Sequence, residues 1–511
     1  MQTKDFLPWF LLALFALFLF SFRIGSYPLT DRDETLYSEV ARECLQTGDW
    51  ITLHWQGKPW FIHAPLAMWI QAAGFRALGV SELTARLPSA LFGVGLVLVT
   101  GALGAMLFGR RAGLISGLIL ATSPIFFVIA RMAILDMPFA FFITLSIYLF
   151  VRAWREENPK LYPAFWLATG FATLTKGLWG LVLSLMVCSL YAIGDRKRGR
   201  LFDWRLYASA AAWAAVVMPW LIAGTARHGR DFLGPVFITN TYARLTTSVC
   251  EHRGPWWFYL PIIAIGLFPW IILRPGALFQ NRGEGSRLLL MWILPPLVLY
   301  SSARTKLPNY LLPLMPALAI ALGVSIAESK RLGVQAVLMP ILGVGIAFGV
   351  AAGLRRYQLF TGAGTPVGLM LFIAAAYCVA GIGLLLRREA GIVLTAISLA
   401  LVLLLLPLGY MRMSDELSPK RIALQARSLA GSGPVFIIHL VSCEDGIYFY
   451  SREPFVTAPN LDRLARMLAR RRGDHALIVS NEQFRGLCAR GLKLRVFARN
   501  PQWILAKATG P

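Results

Sequence analysis

The stretch Asp33-Glu34-Thr35-Leu36-Tyr37-Ser38-Glu39-Val40-Ala41-Arg42-Glu43 follows shortly after the first apolar segment of the chain. Acidic residues are scarce, with 26 Asp and Glu against 50 Lys and Arg in a sequence that is 57% hydrophobic. A second isolated acid, Asp136, lies between two further apolar runs. Ionisable groups at a membrane boundary are costly and are therefore usually retained for function. Asp33 and Asp136 are thus the first candidates for a functional site.

The same stretch predicts a helix that lies at the membrane interface. Asp31 and Glu34 form the pattern of a capping box, apolar residues then recur at helical spacing, and Gly48 can end the helix. Both acids can therefore be simple helix caps. The opposite face is polar, and we expect it to meet headgroups and water or to form ion pairs along the helix. It carries Ser38, Glu39, Arg42, Glu43 and Gln46.

Apolar segments fill most of the chain up to residue 410, and the mean hydropathy is +0.60. At about 20 residues per span, they predict a polytopic membrane protein with roughly 13 helices. The first segment lacks a small-residue cleavage site, which favours a retained anchor over a removed signal peptide. The predicted spans are residues 6–22, 84–107, 113–130, 137–153, 162–175, 177–194, 207–224, 257–273, 288–302, 308–326, 333–353, 366–386 and 391–410.

The distribution of Lys and Arg predicts the orientation of these spans. With the N-terminus in the cytoplasm, short cytoplasmic connections hold 17 of these residues and short outer connections hold 6, as the positive-inside rule requires. An odd number of spans then places the C-terminal segment outside. The loops at 23–83 and 225–256, together with Asp136, Lys176 and Lys306, are all predicted to lie on the outer face.

Residues 411–511 differ in composition from the preceding apolar part, residues 1–410. Short strands are predicted at 434–440, 446–450, 475–480, 493–498 and 503–506, with a helix at 461–472. The pattern indicates a small α/β domain. It holds 16 Lys and Arg against 8 Asp and Glu, which suits an anionic membrane surface or an acidic glycolipid but also an ordinary solvated basic face.

The net charge of +24 does not by itself indicate nucleic-acid binding, because no basic folded module with a recognition motif is visible. The cysteines show no metal-binding spacing, and the sequence predicts no cofactor, although a need for a divalent metal stays open. Cys188 and Cys378 lie in apolar spans. A disulfide of undetermined pairing can form among the cysteines of the predicted outer segments, which are Cys44, Cys250, Cys443 and Cys488.

An ordered set of short motifs covers residues 25–325. As a set they resemble the GT-C family of polyprenyl-phosphate-sugar glycosyltransferases, in particular the lipid A aminoarabinose transferases and the related protein O-mannosyltransferases. The motifs are Asp33-Glu34-x-x-Tyr37, Gly48-Asp49-Trp50, Gly57-Lys58-Pro59-Trp60-Phe61, Pro65-Leu66, Ala85-Arg86-Leu87-Pro88-Ser89, Arg131…Asp136-Met137-Pro138, Thr175-Lys176-Gly177, His252…Pro255-Trp256-Trp257-Phe258-Tyr259, Pro269-Trp270 and Thr305-Lys306-Leu307-Pro308-Asn309-Tyr310.

This resemblance implies an all-α GT-C transmembrane domain followed by a small α/β periplasmic domain. It assigns Asp33 to the sugar-transfer site and Asp136 to the acid of the first short outer loop. The family often has Glu-Lys-Pro-Pro after the aromatic pair, with the Lys reaching the donor phosphate, but here Ile62 and His63 occupy the first two positions. Leu36 stands where an Arg is common.

The residue types fit transfer from a polyprenyl phosphate. The leaving phosphate needs cations, for which Lys176, Arg131, His63 and Lys306 are the candidates. Lys176 can alternatively be a snorkelling residue between two spans. Asp33 can act as base towards an acceptor hydroxyl, or orient an acceptor phosphate or a sugar amine.

Aromatic and polar residues complete the predicted site. Tyr37, Trp60 and Tyr310 can stack on the sugar or line the entrance for the prenyl chain. Glu34 and His252 are further candidates for the binding of donor or acceptor.

We therefore expect an inner-membrane glycosyltransferase that moves a sugar, such as 4-amino-4-deoxy-L-arabinose, from an undecaprenyl-phosphate donor to lipid A or the lipopolysaccharide core. Protein O-glycosylation is the alternative within the same class. A transporter or flippase would place its charges near mid-membrane, often in paired broken helices, whereas here they gather on one face. A purely structural scaffold is disfavoured by the ordered motifs.

Overall fold

A computed structural model describes most of the chain. The residues it describes are 3–29, 32–236, 254–274, 283–329, 333–356, 365–430, 435–438, 444–451, 456–458, 460–469, 475–499 and 503–508. They fold into two compact units. The first unit comprises Met1–Ile24, Phe61–Ile70 and Arg86–Leu406, and the second comprises Gly25–Trp60, Gln71–Ala85 and Pro407–Pro511.

Helices dominate the described residues. Short 3-10 helices at Pro159–Leu161, Arg198–Phe202 and Pro308–Leu314 connect some of them. The α-helices up to residue 302 are α1 (Thr3–Ser21), α2 (Arg32–Thr47), α3 (Leu66–Leu78), α4 (Glu82–Phe108), α5 (Arg110–Thr122), α6 (Pro124–Ala130), α7 (Asp136–Glu156), α8 (Tyr162–Lys176), α9 (Leu178–Ile193), α10 (Trp204–Ala208), α11 (Ala210–His228), α12 (Arg230–Leu233), α13 (Tyr259–Gly266), α14 (Trp270–Leu273) and α15 (Glu284–Ser302).

The remaining helices include the last apolar ones and those of the C-terminal part. They are α16 (Met315–Glu328), α17 (Gly333–Arg356), α18 (Thr365–Leu386), α19 (Arg388–Leu417), α20 (Pro419–Ala430), α21 (Glu444–Ser451), α22 (Leu461–Ala469) and α23 (Asn481–Ala489). The strands are β1 (His54–Trp55), β2 (Lys58–Pro59), β3 (Val435–Ile438), β4 (Val456–Ala458), β5 (His475–Ser480), β6 (Leu494–Arg499) and β7 (Trp503–Ala508).

The prediction of a polytopic helical membrane protein is confirmed, since helices cover each of the predicted apolar segments. Among the described residues, six helical stretches are long and apolar enough to cross a membrane, or seven if α5 and α6 form one bent span. The number thirteen stays a prediction. The α5–α6 pair bends by 67°, because Pro124 disfavours the helical conformation at Ser123, whose backbone is extended.

Close packing in the first unit depends on small residues. Helix α5 approaches α4 so tightly that a Cβ added at Gly113 would lie 2.4 Å from the carbonyl oxygen of Gly101. A Cβ at Gly323 of α16 would lie 2.2 Å from Ser116 Oγ of α5. Small residues at such crossings let apolar helices pack where lipid offers no hydrophobic drive for association.

In the second unit, α2 ends at Thr47 and Gly48 follows with φ +69°, which confirms the predicted helix and its terminator. Asp31, the proposed cap, lies outside the described residues. The polar face of α2 was predicted to be exposed to water. This prediction is wrong for the centre of the face, because Ser38, Glu39 and Arg42 are all buried. The physical reason is that α2 packs against α21 and the β1–β2 hairpin.

The buried polar face of α2 is held by specific bonds. Arg42 Nη2 lies 2.5 Å from Glu39 Oε1, and Arg42 Nε donates to Glu39 Oε2 at 3.0 Å. Glu43 accepts hydrogen bonds from the backbone N–H groups of Gln56 at 2.6 Å and Gly57 at 3.0 Å. Glu43 therefore fastens the helix to the hairpin. The Arg42–Glu39 pair is one of the ion pairs along the helix that the sequence predicts, but it is buried.

Removal of Arg42 is expected to destabilise this unit. Arg42 and Glu39 are 7% and 2% exposed, and burial already raises the pKa of Glu39 against the opposing effect of Arg42. Arg42→Met leaves the buried carboxyl of Glu39 without its positively charged partner. We therefore expect a loss of about 3–5 kcal/mol in the free energy of unfolding. Chemical unfolding of the detergent-solubilised protein measures it.

A matched control is Arg152→Met, which breaks the exposed Arg152–Glu156 pair and should cost about 1 kcal/mol or less. The double variant Glu39→Gln with Arg42→Met should recover part of the loss, because the stranded charge is gone. Equal losses for Arg42→Met and Arg152→Met would contradict the role given to the buried pair.

The C-terminal residues of the second unit form a five-stranded sheet in the order β4-β3-β5-β7-β6. Strand β3 is parallel to β4 and β5, whereas β7 is antiparallel to β5 and β6. The described parts of four predicted strands and of the predicted helix at 461–472 are confirmed. Residues 470–474 and the ends of the first strand lie outside the described residues.

The predicted strand at 446–450 is wrong, because these residues belong to helix α21. Ile447, Tyr448, Phe449 and Tyr450 are all buried, since α21 packs against both α2 and α20. A short run that is apolar on every side has no periodicity to separate strand from helix. Strand β4 and helices α20 and α23 were not predicted.

Contacts within the second unit join the first loop to the C-terminal elements. The backbone N–H of Leu29 donates to the hydroxyl of Tyr450 at 2.6 Å. Lys420 Nζ donates to Glu82 Oε1 at 2.5 Å. The segment that leads into α2 is therefore held by a residue 421 positions later in the chain.

Candidate active site

A narrow cavity of about 50 Å³ lies in the first unit. Four residues predicted from the sequence line it: His63, Asp136, Lys176 and Tyr310. The other lining residues are Phe139, Trp179, Tyr300, Ala303, Thr305, Asn309 and Pro313. The fold thus brings together residues that lie up to 247 positions apart in the sequence.

An ion pair between Asp136 and Lys176 dominates the polar part of this cavity. Asp136 opens α7 and Lys176 closes α8, so the antiparallel packing of these helices brings the two side chains to the same level. Lys176 Nζ donates to Asp136 Oδ1 at 2.6 Å, and their side chains are 12% and 7% exposed. Gly177, at φ +69°, turns the chain into α9.

Aromatic rings surround the ammonium group of Lys176. Its Nζ lies 5.4 Å from the ring centroid of Phe139 and 5.3 Å from that of Tyr310, distances at which a cation is attracted to a ring. Tyr310 in turn contacts Tyr300 at 6.0 Å between centroids. Because these walls exclude water, charges inside the cavity interact more strongly than they would at the surface.

Lys306 lies beside this cavity. Its Nζ donates to the carbonyl of the lining residue Ala303 at 2.5 Å, and its neighbour Thr305 lines the cavity. Only 7% of Lys306 is exposed, and this burial lowers the pKa of its ammonium group. A second buried cation is therefore available next to the Asp136–Lys176 pair.

The departure from the family motif at residues 62 and 63 has a structural counterpart. His63 is buried and lines the cavity, whereas Ile62 is 42% exposed. His63, which stands where the family motif has its Lys, is therefore one of the residues that line the cavity, and its contact with a phosphate stays a prediction.

Arg131 is placed differently from the other predicted cations. Its guanidinium donates to the carbonyls of Leu19 and Phe20 at 3.1 and 2.9 Å and to that of Phe22 at 2.6 Å. It therefore binds the C-terminal end of α1, where carbonyls lack helical partners. Arg131 does not belong to the residues that line the cavity.

Four predicted site residues belong to the second unit. Asp33 lies in the first turn of α2 and is half-buried, whereas Glu34 and Tyr37 are buried. The rings of Tyr37 and Trp60 meet edge to face, with centroids 6.3 Å apart. His252 lies outside the described residues, as do the loop residues 237–253 around it.

Several cavity residues were not predicted as site residues. Trp179, Tyr300 and Phe139 lie in apolar segments, where an aromatic side chain is more often a belt or core residue than a ligand-binding one. Asn309 and Thr305 belong to the same sequence motif as Lys306 and Tyr310. Their position in that motif is the signal by which they could have been predicted as site residues. Tyr300 carried no such signal.

The described residues contain no cluster of three or more His, Cys, Asp or Glu side chains able to hold a metal ion. The described cysteines Cys44, Cys188, Cys378 and Cys488 are free thiols. Cys250 and Cys443 lie outside the described residues, so the predicted disulfide stays a prediction.

Residues 62–223 match the family described as dolichyl-phosphate-mannose-protein mannosyltransferase. An undecaprenyl phosphate-alpha-4-amino-4-deoxy-L-arabinose arabinosyl transferase of Edwardsiella ictaluri is 31% identical over 330 residues, which cover 62% of this chain and 59% of the relative. The protein of the same name from Pseudomonas aeruginosa is 29% identical, over 73% of this chain and 70% of the relative. The match thus spans less than two thirds of the first relative.

The fold has a close counterpart among solved structures. The crystal structure of ArnT from Cupriavidus metallidurans bound to undecaprenyl phosphate superposes with a TM-score of 0.83. The two sequences are 24% identical, and the superposition covers 99% of this chain and 98% of that one. The chain therefore has the same fold as that structure, which is the GT-C fold that its ordered motifs predict.

Proposed function

We propose that this protein transfers a sugar from an undecaprenyl-phosphate donor to lipid A or the lipopolysaccharide core. The observation that carries the proposal is the buried Asp136–Lys176 pair in an aromatic-walled cavity, with His63 on the same walls and Lys306 beside it. The names of the relatives favour 4-amino-4-deoxy-L-arabinose as the sugar.

The reaction is an inverting displacement at the anomeric carbon. An acceptor oxygen forms the new bond to this carbon, while the bond to the phosphate oxygen breaks and the polyprenyl phosphate leaves with the electron pair. Negative charge therefore develops on the phosphate. Lys176 and Lys306 stabilise it by charge-assisted hydrogen bonds in a poorly solvated cavity, and the imidazole of His63 supplies a further polar contact.

The two acids have different roles in this scheme. Asp136 holds the ammonium group of Lys176 in place through the 2.6 Å contact, so it is a positioning group for the leaving phosphate. Asp33 takes the proton from an acceptor hydroxyl. If the acceptor is a phosphate, which is already ionised, Asp33 orients that phosphate or the amino group of the sugar.

Topology follows from the same proposal. We place the protein in the bacterial inner membrane with about 13 spans, a cytoplasmic N-terminus, a transmembrane catalytic part at residues 1–410 and a periplasmic α/β part at residues 411–511. The excess of Lys and Arg in the short predicted cytoplasmic connections supports this orientation. Undecaprenyl-phosphate donor, glycolipid acceptor and membrane lipids are then its partners.

Protein O-glycosylation is the second candidate function, because residues 62–223 match the family of protein mannosyltransferases. Mass spectrometry of lipid A from cells with and without the gene tests the first function. We expect a sugar-modified lipid A that disappears on deletion. Unchanged lipid A and core, together with loss of sugar from a periplasmic protein, would favour the second candidate.

The rate of transfer is expected to fall at alkaline pH because of Lys306. Burial lowers the pKa of Lys306 from its ordinary value, so its charge is lost at a lower pH than that of a solvent-exposed lysine. The loss should begin well before a solvent-exposed lysine would titrate. Initial rates of the purified enzyme between pH 7 and pH 10 measure the effect.

Lys306→Arg is the informative variant, because a guanidinium keeps its charge throughout this range. Its rate should fall less steeply with pH than that of the native enzyme. If the rates of the two proteins fell identically as the pH rises, Lys306 would not be the cation that titrates.

A further inference from the structure

The segment at residues 194–209 follows the apolar helix α9. It ends within the first residues of the apolar stretch Trp204–His228, which is long enough to cross a membrane. It contains the 3-10 helix Arg198–Phe202 and the short helix α10. A connection between two apolar helices of this kind lies at a membrane surface. Its side chains therefore meet lipid headgroups.

Internal bonds give this segment a fixed shape. The buried carboxylate of Asp195 accepts from the backbone N–H of Lys197 at 2.8 Å and pairs with Arg287 at 2.6 Å. The side chains of Lys197 and Arg200 pair with Glu157 at 2.6 and 2.5 Å. Lys197 and Arg200 thus hold the segment to the C-terminal end of α7 through Glu157, and Asp195 holds it to α15 through Arg287.

Three arginines remain directed to the outside. Arg196, Arg198 and Arg205 are exposed, and within the described part of the chain no carboxylate forms an ion pair with any of them. The remaining acid, Asp203, is engaged in capping α10, since its side chain accepts from the backbone N–H of Arg205 at 2.9 Å. The segment therefore presents uncompensated positive charge.

Large aromatic side chains are exposed beside these arginines. Phe202, Trp204 and Tyr207 are 87%, 71% and 60% exposed, which is unusual for aromatic residues of a folded segment. Arginines interleaved with exposed aromatics are typical of a surface that inserts into the headgroup region of a bilayer.

An open groove of about 380 Å³ adjoins this surface. Its polar and aromatic wall consists of Arg205, Trp204 and Ser209. Its apolar floor consists of Pro163 and three alanines. A cation next to an apolar floor matches the chemistry of an anionic phospholipid, in which a phosphate adjoins an acyl chain.

We propose that residues 194–209 form a binding site for an anionic phospholipid of the bilayer. The headgroup phosphate binds Arg205, Arg198 adds a second cation, and the acyl chain lies on the apolar floor of the groove. The hydroxyl of Ser209 donates to the carbonyl of Arg205 at 2.7 Å and so holds the turn that carries this arginine. The occupant is a membrane lipid and not a soluble anion, because the aromatics flank the arginines and apolar helices continue from both ends of the segment.

Lipid binding to the full-length protein in detergent tests this site. The probe is fluorescent phosphatidylglycerol, with phosphatidylcholine as the neutral comparison. Arg198→Gln with Arg205→Gln should weaken phosphatidylglycerol binding by about 25-fold, since each basic residue near a lipid surface contributes about fivefold. The control is Arg463→Gln with Arg485→Gln, which removes the same charge from exposed positions of α22 and α23.

Equal weakening in the two double variants would overturn the proposal, as would equal affinity of the native protein for phosphatidylglycerol and phosphatidylcholine. Displacement of the probe by an equal concentration of inorganic phosphate would also overturn it, by showing a site for a small free anion. Unchanged thermal stability of the arginine variant is expected, because neither side chain forms an ion pair within the described residues.

A second measurement leaves the arginines intact. Brominated acyl chains quench the fluorescence of a nearby tryptophan. The difference in fluorescence between the native protein and Trp204→Phe therefore reports on Trp204 alone. Brominated phosphatidylglycerol should quench this difference signal more than brominated phosphatidylcholine. Equal quenching by the two lipids would contradict selective binding at this groove even if the arginine variant fails to fold.

Discussion

Asp33→Asn is expected to lower the rate of sugar transfer by about 10²–10⁴-fold while the protein remains folded. The amide keeps the size of the carboxylate but cannot take a proton from an acceptor hydroxyl. Asp33 is half-buried in the first turn of α2, so the substitution leaves no large cavity. Single-turnover transfer with purified protein, donor lipid and lipid A measures the effect.

Asp49→Asn is the matched control in the same loop. Asp49 Oδ1 accepts from the backbone N–H groups of Ile51 and Thr52 at 3.0 Å, and an asparagine oxygen can accept the same two bonds. This variant should retain transfer. Full transfer by Asp33→Asn, or an equal loss in both variants, would contradict the assignment of Asp33.

Lys176→Met is expected to lower transfer by about 10²–10³-fold, because it removes the cation closest to the cavity wall where the leaving phosphate is proposed to bind. It should also cost about 3–5 kcal/mol of stability, since Asp136 is left buried without its partner. Lys176→Arg keeps the charge and should preserve folding and part of the activity. Thermal unfolding and transfer assays on the same preparations separate the two effects.

The double variant Asp136→Asn with Lys176→Met separates stability from chemistry. It leaves two neutral side chains of similar size, so the stability lost in Lys176→Met should largely return. Transfer should stay low, because no ammonium group faces the leaving phosphate. If the double variant recovered both stability and transfer, the ion pair would be structural and the leaving group would need another cation.

Charge, spacing and topology in the sequence predicted much of the arrangement that the structure shows. Asp136 and Lys176 were placed on one face by the alternation of spans, and their side chains meet at 2.6 Å in the first unit. Helix α2 and its end at Gly48 were predicted from a capping pattern, the helical spacing of apolar residues and one glycine. These are local or topological signals, and a single sequence carries them.

Other features depend on contacts between distant segments and could not be predicted. The polar face of α2 is buried because distant segments pack against it, among them α21, which was mistaken for a strand, and α3, whose Gln71 donates to Ser38. The bonds of Arg131 to carbonyls of α1, more than 100 residues earlier in the chain, have no signal in the sequence. Tyr300 lines the cavity although no motif distinguishes it from the other aromatics of the spans.

The central claim is that the groups assigned to sugar transfer open to one external face of the membrane. Single cysteines at the exposed positions Lys58, Arg304 and Lys160, in a background with the six native cysteines replaced by serine, test it with a membrane-impermeant maleimide on intact spheroplasts. The account predicts that Lys58→Cys, in the hairpin that holds α2, and Arg304→Cys, beside the cavity, are labelled from outside, whereas Lys160→Cys is labelled only after the membrane is opened. Labelling of positions 58 and 304 from opposite sides would contradict it.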